Sequence, residues 1–217
     1  WLGTARTPGA LARAGFRVAL LAPRGSLVLK SRFLSEVGLV SDTAVPMEWL
    51  GMLIRLVDKV DPVLLVPCDE MAVRLLFILV LDPPPGLKPE LQTRLAALVA
   101  KSMGEPRFYA ASIDKTLLPP AAEALGVRVP PHAIVDRAHD AVAFAEARGY
   151  PVVLKRRFGF SGAGVAIVQG RAELLEAAQQ LLRPNQIDLG ENRAPRLLVQ
   201  AFVTGAHHSQ ALVALQG

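Results

Sequence analysis

The sequence predicts an α/β protein in which a doubly wound parallel sheet is followed by a separate α+β subdomain. In the first half, apolar runs of strand length alternate with helices of amphipathic spacing, which is typical of βαβ units. In the second half, two short apolar strands flank a glycine-rich turn and so indicate an antiparallel hairpin. Within the first half, residues 82–86 include three consecutive prolines, which can continue neither a helix nor a central strand; the boundary between the halves is predicted near Gly104, after the next helix.

The composition is that of a folded protein with a substantial core. The chain has 217 residues, 52% of them hydrophobic, and a mean hydropathy of +0.35, which excludes a disordered or fibrous protein. The longest apolar run, residues 75–81, is far shorter than the roughly 18–20 residues of a membrane-spanning helix. The single cysteine, Cys68, excludes an internal disulfide framework. We therefore expect a cytoplasmic protein with no membrane partner.

The net charge of +5 and the pI near 9.8 suggest an anionic partner. The basic residues are scattered along the chain, however, and only residues 155–157 form a cluster. No basic tract is interleaved with aromatic residues, as a nucleic-acid surface would require. The charge pattern therefore favours a small phosphate ligand over nucleic acid.

Capping residues and apolar spacing set the predicted boundaries in the first half. The predicted elements are a short helix capped by Thr7 with Pro8 at its first position, a strand at 16–22, a helix that begins at Pro46, a strand at 63–66, a helix after residues 68–70 and a helix at 89–103. Cys68 precedes a predicted helix N-terminus, where a thiol pKa can fall. A buried structural cysteine is the favoured interpretation, because no histidine lies near it in the sequence.

The second half has a different order of predicted helices and strands. Ser112 is predicted to cap a helix that runs through Lys115, is interrupted at Pro119 and Pro120, and ends at Gly126. The elements that follow are an extended stretch at 127–135, helices at 136–148 and 171–183, and strands at 151–155, 165–168, 197–203 and 209–215.

The most informative segment joins a lysine strand to a glycine-rich turn. Lys155 lies at the end of a predicted strand, and Gly159, Ser161, Gly162 and Gly164 follow it. Glycines allow backbone N–H groups to approach phosphate oxygens closely, and the lysine and the serine hydroxyl add further donors. The spacing is neither that of a Walker A loop nor that of a dinucleotide fingerprint. Taken alone, the turn is more often a plain glycine-rich hairpin than a nucleotide loop.

Three further motifs lie before and after this loop in the sequence. Residues 112–115 read Ser-Ile-Asp-Lys, residues 150–155 read Tyr-Pro-Val-Val-Leu-Lys, and residues 197–205 form an apolar strand with Gln200 that stops at a glycine. In this order and spacing, residues 108–217 resemble the ATP-grasp superfamily of ATP-dependent carboxylate–amine and carboxylate–thiol ligases. The preceding region resembles that family's Rossmann-like pre-ATP-grasp domain.

The resemblance implies domains at 1–104 (pre-ATP-grasp), 105–196 (first ATP-grasp subdomain) and 197–217 (hinge strand and start of a second subdomain that is missing or only begun). It implies that Lys115 and Lys155 contact ATP phosphates, with Gly159, Ser161, Gly162 and Gly164 closing over them. Backbone groups of Gln200, Ala201, Phe202 and Val203 would bind the adenine edge. The whole protein would use ATP to convert a small carboxylate into an acylphosphate, which an amine or thiol then attacks. A homodimer is left open.

The chain also departs from the family pattern. Ala201 and His207 stand where the family has acids, which puts the adenine and ribose contacts in doubt, although His207 could substitute as a hydrogen-bonding group. The acids that bind Mg²⁺ in the family would follow Gly217, so we expect this chain to be an incomplete portion with no metal ligand and no catalytic residue of its own. A catalytically inactive nucleotide-binding or regulatory module is the alternative; a nucleic-acid-binding domain rests on the pI alone and ranks last.

Overall fold

The computed structural model describes residues 2–159, 162–183, 195–206 and 208. The chain forms two compact units, Trp1–Tyr109 and Ala110–Gly217. The first contains a parallel sheet and the second an antiparallel sheet, which confirms the predicted α/β class. No helix in the described part of the chain is long and apolar enough to cross a membrane.

The described part of the first unit contains four α-helices, two short 3₁₀ helices and one pair of parallel strands. In chain order the α-helices and strands are α1 (Leu2–Arg13), β1 (Val18–Pro23), β2 (Leu34–Val40), α2 (Pro46–Val60), α3 (Glu70–Leu81) and α4 (Pro89–Met103). Helix α3 is capped by Asp69, whose carboxylate accepts a hydrogen bond from the Ala72 amide at 2.8 Å. The strand β2 was not anticipated from the sequence, because its apolar residues are interrupted by Ser35, Glu36 and Gly38.

Two predicted features of the first unit are wrong. Helix α1 begins at Leu2 and contains Pro8 inside it, so Thr7 is not its N-cap. Residues 63–66, predicted as a buried strand, form no strand ladder, and Val63 is 57% exposed. The physical reason is that no neighbouring strand lies beside this segment: a strand is defined by the partner to which its backbone bonds.

The second unit is an antiparallel four-stranded sheet with two helices packed on one face. Its elements are α5 (Tyr109–Ile113), α6 (Leu118–Ala124), β3 (His132–Val135), α7 (Ala138–Arg148), β4 (Val152–Arg156), β5 (Val165–Val168), α8 (Arg171–Leu181) and β6 (Leu197–Ala201). The strand order is β3-β6-β4-β5, and β4 and β5 form the predicted hairpin. The strand predicted at 209–215 lies outside the described residues.

The prolines of α6 begin that helix rather than interrupting a longer one. Pro119 and Pro120 occupy its first turn, where a missing N–H costs nothing because those amides have no intrahelical partner. The helix predicted to run through Lys115 is therefore absent: α5 ends at Ile113, and Lys115 lies in the turn before α6.

The alternation of side chains along β4 separates the core from the opposite face of the sheet. Val152 and Leu154 are fully buried in the cluster formed with α7 and α8, together with Leu174. Lys155, adjacent to Leu154 in the strand, lies on the other face. In the antiparallel register Lys155 is paired with Leu198 of β6, and Gln200 is paired with Val153, so Gln200 shares this second face with Lys155.

Replacing Leu154 by alanine should lower the free energy of unfolding by about 2–5 kcal/mol, because it leaves a cavity at a site with no exposed surface. The matched control is Leu125→Ala, the same chemical change at a side chain that is 67% exposed, with an expected effect within about 0.5 kcal/mol. Urea denaturation followed by circular dichroism measures both. Equal losses at the two positions would contradict the assignment of this core.

Candidate phosphate-binding site

A buried carboxylate fixes the turn that carries Lys115. Asp114 Oδ1 accepts hydrogen bonds from the Thr116 amide at 2.9 Å and the Thr116 hydroxyl at 2.6 Å. Its Oδ2 accepts one from Arg157 Nε at 2.5 Å, and the side chains of this ion pair are 3% and 13% exposed. The amide of Lys115 donates to the carbonyl oxygen of Arg157 at 2.9 Å. The turn is therefore tied directly to the segment that leaves β4.

Lys115 and Lys155 lie close enough for their charges to interact. The Lys155 pKa is lowered from its ordinary value, first because the side chain is half-buried and second because the Lys115 ammonium group repels its positive form. Lys115 Nζ donates to the carbonyl oxygen of Gly159, at the start of the glycine-rich turn. Among the described residues, neither lysine is ion-paired with a carboxylate. The result is a concentration of positive charge next to a backbone loop.

Two glycines of the turn cannot carry a side chain. Gly159 has φ of +148°, and a Cβ there would lie 2.6 Å from the carbonyl oxygen of Ala163. Gly164 has φ of +79°, and its Cβ would lie 2.9 Å from Arg156 Cβ. Since real Cβ atoms do not approach so closely, the tight path of the turn requires glycine at both positions. Gly162 also has positive φ but faces open space, and Ser161 lies outside the described residues.

The hinge strand β6 supplies fewer free backbone donors than the sequence suggested. The Ala201 amide donates to the Pro131 carbonyl at 2.9 Å, and the Phe202 amide donates to the Pro151 carbonyl at 3.3 Å. Gln200 is 8% exposed and Val203 is 63% exposed. Of the predicted adenine contacts, the amides of Ala201 and Phe202 are thus already used within the subdomain. His207 lies outside the described residues.

Sequence reasoning missed the roles of Asp114 and Arg157. The signal was present in the cluster at residues 155–157, which was interpreted as positive charge alone. In the structure the three residues separate: Arg157 binds Asp114, while Arg156 donates to the carbonyl oxygens of Arg183 and Gln180 at 2.7 and 3.1 Å, near the end of α8. Only Lys155 of the cluster lacks an internal anionic or carbonyl partner among the described residues.

Cys68 and the residue types that bind metals form no second candidate site among the described residues. Cys68 is exposed, so the expectation of a buried thiol is wrong. Its pKa is raised, mainly by partial desolvation and further by the neighbouring Asp69 charge, although a hydrogen bond with Thr7 lowers it; it is therefore not an activated thiol. Within the described ranges, no three His, Cys, Asp or Glu residues are grouped as metal ligands would be.

A comparison with family models finds a match within the second unit. Residues 114–214 match the family model described as the ATP-binding domain of the carbamoyl-phosphate synthase L chain. No curated protein sequence matches the chain closely enough to count as a relative.

Solved structures extend the likeness of fold to almost the whole chain. A Campylobacter jejuni biotin carboxylase in complex with a βγ-ATP ligand has a TM-score of 0.64 and 15% identity, over 93% of this chain and 43% of that chain. The biotin carboxylase domain dimer of Hydrogenobacter thermophilus 2-oxoglutarate carboxylase, in complex with MgADP, ADP and bicarbonate, has a TM-score of 0.61 and 17% identity over 92% and 42%. The Thermus thermophilus N5-carboxyaminoimidazole ribonucleotide synthetase has a TM-score of 0.60 and 19% identity over 93% and 44%. The chain spans less than half the length of these proteins.

Replacing Arg157 by methionine should lower the free energy of unfolding by about 3–5 kcal/mol, because the Asp114 carboxylate then stays buried without its cation. Arg137→Met is the matched control: that side chain is 81% exposed, and we expect a change within about 0.5 kcal/mol. The double variant R157M/D114N should recover part of the loss, since asparagine keeps an oxygen for Thr116 and carries no charge. Urea denaturation measures all three. A loss below about 1 kcal/mol in R157M, the range of a surface pair, would contradict the central role of this contact.

Proposed function

We propose that the chain is the nucleotide-binding portion of an ATP-dependent ligase of the ATP-grasp type; the match of residues 114–214 to an ATP-binding domain model and the fold shared with the solved structures support this. The observation that carries the proposal is that Lys115 interacts both with Lys155 and with Gly159 at the start of the glycine-rich turn. Two ammonium groups with no carboxylate partner in the described chain form a site for a polyanion.

The residues present fit the phosphate groups of ATP. Burial and, second, repulsion by Lys115 lower the Lys155 pKa, and a bound polyphosphate would replace that repulsion with attraction. Gly159 and Gly164 hold the turn in a path that only glycine can take, and the N–H groups of such a turn can point at phosphate oxygens. In this proposal Lys115 and Lys155 bind the phosphates, and residues 159, 161, 162 and 164 enclose them.

The adenine base would lie against the end of β6. Since the amides of Ala201 and Phe202 are bonded within the subdomain, the groups left for the base are the carbonyl oxygens of these residues and the N–H of Val203. A carbonyl acceptor and an N–H donor suit the exocyclic amine and a ring nitrogen of adenine. Gln200 lies on the same sheet face as Lys155, and His207 would contribute a hydrogen bond to the ribose.

The proposed reaction joins a small carboxylate to an amine or thiol. A carboxylate oxygen attacks the γ-phosphorus of ATP and ADP leaves; the amine or thiol then attacks the acyl carbon and inorganic phosphate leaves. The lysines of this chain would hold and neutralise the phosphate oxygens while the charge moves. Mg²⁺ would supply further charge neutralisation; the described residues include no group of three His, Cys, Asp or Glu residues that could hold it.

A catalytically inactive nucleotide-binding module is the second candidate. It is favoured by Ala201, which stands where the resemblance leads one to expect an acid. The discriminating experiment incubates the full-length protein with ATP and Mg²⁺ across a panel of small carboxylates, including bicarbonate, each with an amine or thiol. ADP release that depends on one carboxylate supports the ligase. ATP binding with no ADP release across the panel supports the inactive module.

We also propose a cytoplasmic protein, with ATP and a small carboxylate as partners and a homodimer as the assembly to examine first. One of the structurally similar proteins is a dimer of its biotin carboxylase domain. Nucleic acid is not among the proposed partners, because two of the three residues in the basic cluster bind within the fold.

Replacing Lys155 by methionine should weaken ATP binding by about 1.5–3 kcal/mol, which is roughly 10- to 150-fold, because a hydrogen bond between charged groups is lost. Lys155→Arg keeps the charge and should lose less. Lys101→Met removes an exposed lysine on α4 and should leave the affinity unchanged. Isothermal titration of the full-length protein with ATP measures the three variants. Equal affinity of K155M and wild type would remove Lys155 from the site.

ATP binding should be accompanied by proton uptake at alkaline pH. The Lys155 pKa lies below its ordinary value of 10.5, so between the lowered pKa and 10.5 the side chain is largely neutral in the free protein. Bound phosphates favour the charged ammonium form and raise the pKa, so the complex takes up a proton in this window; well below the lowered pKa no uptake is expected. Titration in two buffers of different ionisation enthalpy measures it, and K155M should abolish it. Uptake that persists in K155M would assign the proton to another group.

A further inference from the structure

The excess positive charge of the chain is concentrated in residues 1–33. This segment contains six basic residues and no acidic residue, which leaves 18 basic and 19 acidic residues for the rest of the chain. The net charge of +5 therefore arises within α1, β1 and the residues that connect them to β2. The basic residues are spaced along the sequence, but no acidic residue separates them, so their fields add up at the surface of the first unit.

Three of these basic residues lie at the amino end of the parallel strands. The first residues of β1 and β2 are paired with each other, so Arg17 and Phe33, which immediately precede them, lie at the same edge of the sheet. Arg32 is the next residue back along the chain from Phe33. Helix α1 ends at Arg13, and the chain then turns directly into β1, which brings Arg13 to this edge as well.

The Phe33 ring holds two of the guanidinium groups near one another. Arg32 Cζ lies over the ring, 5.1 Å from its centroid. The ring also packs onto α1 at the buried Gly9, where a Cβ would lie 3.1 Å from Phe33 Cε2 and 3.4 Å from Arg13 Nη1. The ring and the Arg13 guanidinium group therefore meet above the same glycine. Contact with an aromatic face orients a guanidinium group and leaves its N–H groups free to donate.

No carboxylate neutralises these arginines within the described part of the chain. Arg13, Arg17 and Arg32 are exposed, and the ion pairs among the described residues join other side chains. Phe16, which precedes Arg17, is 42% exposed. We use the name arginine patch for the surface formed by Arg13, Phe16, Arg17, Arg32 and Phe33.

The position of the arginine patch separates it from the usual ligand site of such a sheet. Small ligands of open α/β sheets bind beyond the carboxyl ends of the strands, whereas the arginine patch lies at the amino ends. A small substrate or phosphate therefore does not account for it. A second copy of the chain does not account for it either, because a two-fold contact brings the same surface of both copies together and would place arginine against arginine.

We propose that the arginine patch docks an acidic polypeptide segment of a partner protein. A guanidinium group binds a carboxylate through two parallel hydrogen bonds. Arginine and aromatic residues are enriched in protein–protein interfaces, whereas lysine is depleted, and the patch has this composition. The proposal does not depend on the proposed nucleotide site.

Two other polyanions fit the arginine patch less well. Nucleic acid binds through many successive phosphates, but acidic residues outnumber basic ones in the chain outside residues 1–33. Anionic membranes are bound by clusters of roughly four to eight basic residues, and the patch contains three. A short acidic segment needs no more positive surface than the patch offers.

Fluorescence anisotropy of a labelled peptide of alternating Glu and Gly, titrated with the full-length protein, tests the proposal. The variant R13Q/R17Q/R32Q should bind this peptide about 3- to 100-fold more weakly, because three contacts between exposed charges are lost. Added salt should weaken binding by the wild-type protein. Unchanged affinity in this variant overturns the proposal.

A matched control removes the same charge elsewhere on the surface. The variant K101Q/R128Q/R137Q changes three basic residues that are exposed and lie outside the arginine patch, and its affinity for the peptide should change by less than about twofold. Equal weakening in the two triple variants would show that net charge alone attracts the peptide, which overturns the proposal.

A charge reversal distinguishes lost docking from lost folding. The variant R17E/R32E should no longer bind the Glu peptide and should bind a peptide of alternating Lys and Gly, which the wild-type patch repels. The variant K101E/R137E has the same net charge and should not gain this binding. If neither variant, or both variants, bind the Lys peptide, the proposal is overturned.

Three further probes identify the occupant and its site. An oligothymidylate, or vesicles of phosphatidylserine and phosphatidylcholine, that bind more tightly than the Glu peptide and are lost in R13Q/R17Q/R32Q would assign the patch to nucleic acid or to a membrane and overturn the proposal. Displacement of the Glu peptide by saturating ATP would place the peptide at Lys155 and also overturn it. Peptide binding that persists with ATP and in K155M supports docking at the arginine patch.

Discussion

The buried ion pair between Asp114 and Arg157 is the contact on which the rest of the second unit's site depends. It joins a turn, which has no regular structure of its own, to the end of β4 at 2.5 Å. Without it, Lys115 would sit on a flexible connection between two short helices, and its distance from Lys155 would not be fixed. A buried pair is a weak source of net stability, but here it fixes the turn that carries Lys115 against the end of β4, the strand that carries Lys155.

The sequence predicted the elements whose signals are local. The helices α2 and α4 have proline at their first turn and regular apolar spacing, and the β4–β5 hairpin is marked by its glycine-rich turn; all three are found. The predicted helix through Lys115 was wrong because Ser112 resembles an N-cap, whereas the cap-like bonds in this region are donated by the amide and hydroxyl of Thr116 to the Asp114 carboxylate. Its partner Arg157 is 43 residues away, and local patterns carry no information about such contacts.

The predicted strand at 63–66 failed for a different reason. Its apolar, β-branched sequence is that of a buried parallel strand, but a strand also needs a backbone partner, and the described chain places none beside it. Val63 and Val66 accordingly stay more than half exposed.

The two lysines of the second unit carry an electrostatic cost that the fold maintains. Burial and mutual repulsion both disfavour the charged form of Lys155, and evenly distributed surface charges would avoid that cost. The ion pair of Asp114 and Arg157 nevertheless holds Lys115 near it, and Lys115 Nζ bonds to the Gly159 carbonyl, so the repulsion is built into the fold. Such an arrangement is stable only because the surrounding contacts determine it, and the proposed polyphosphate would relieve the repulsion. A binding site for a polyphosphate is the simplest physical reason for a fold to maintain it.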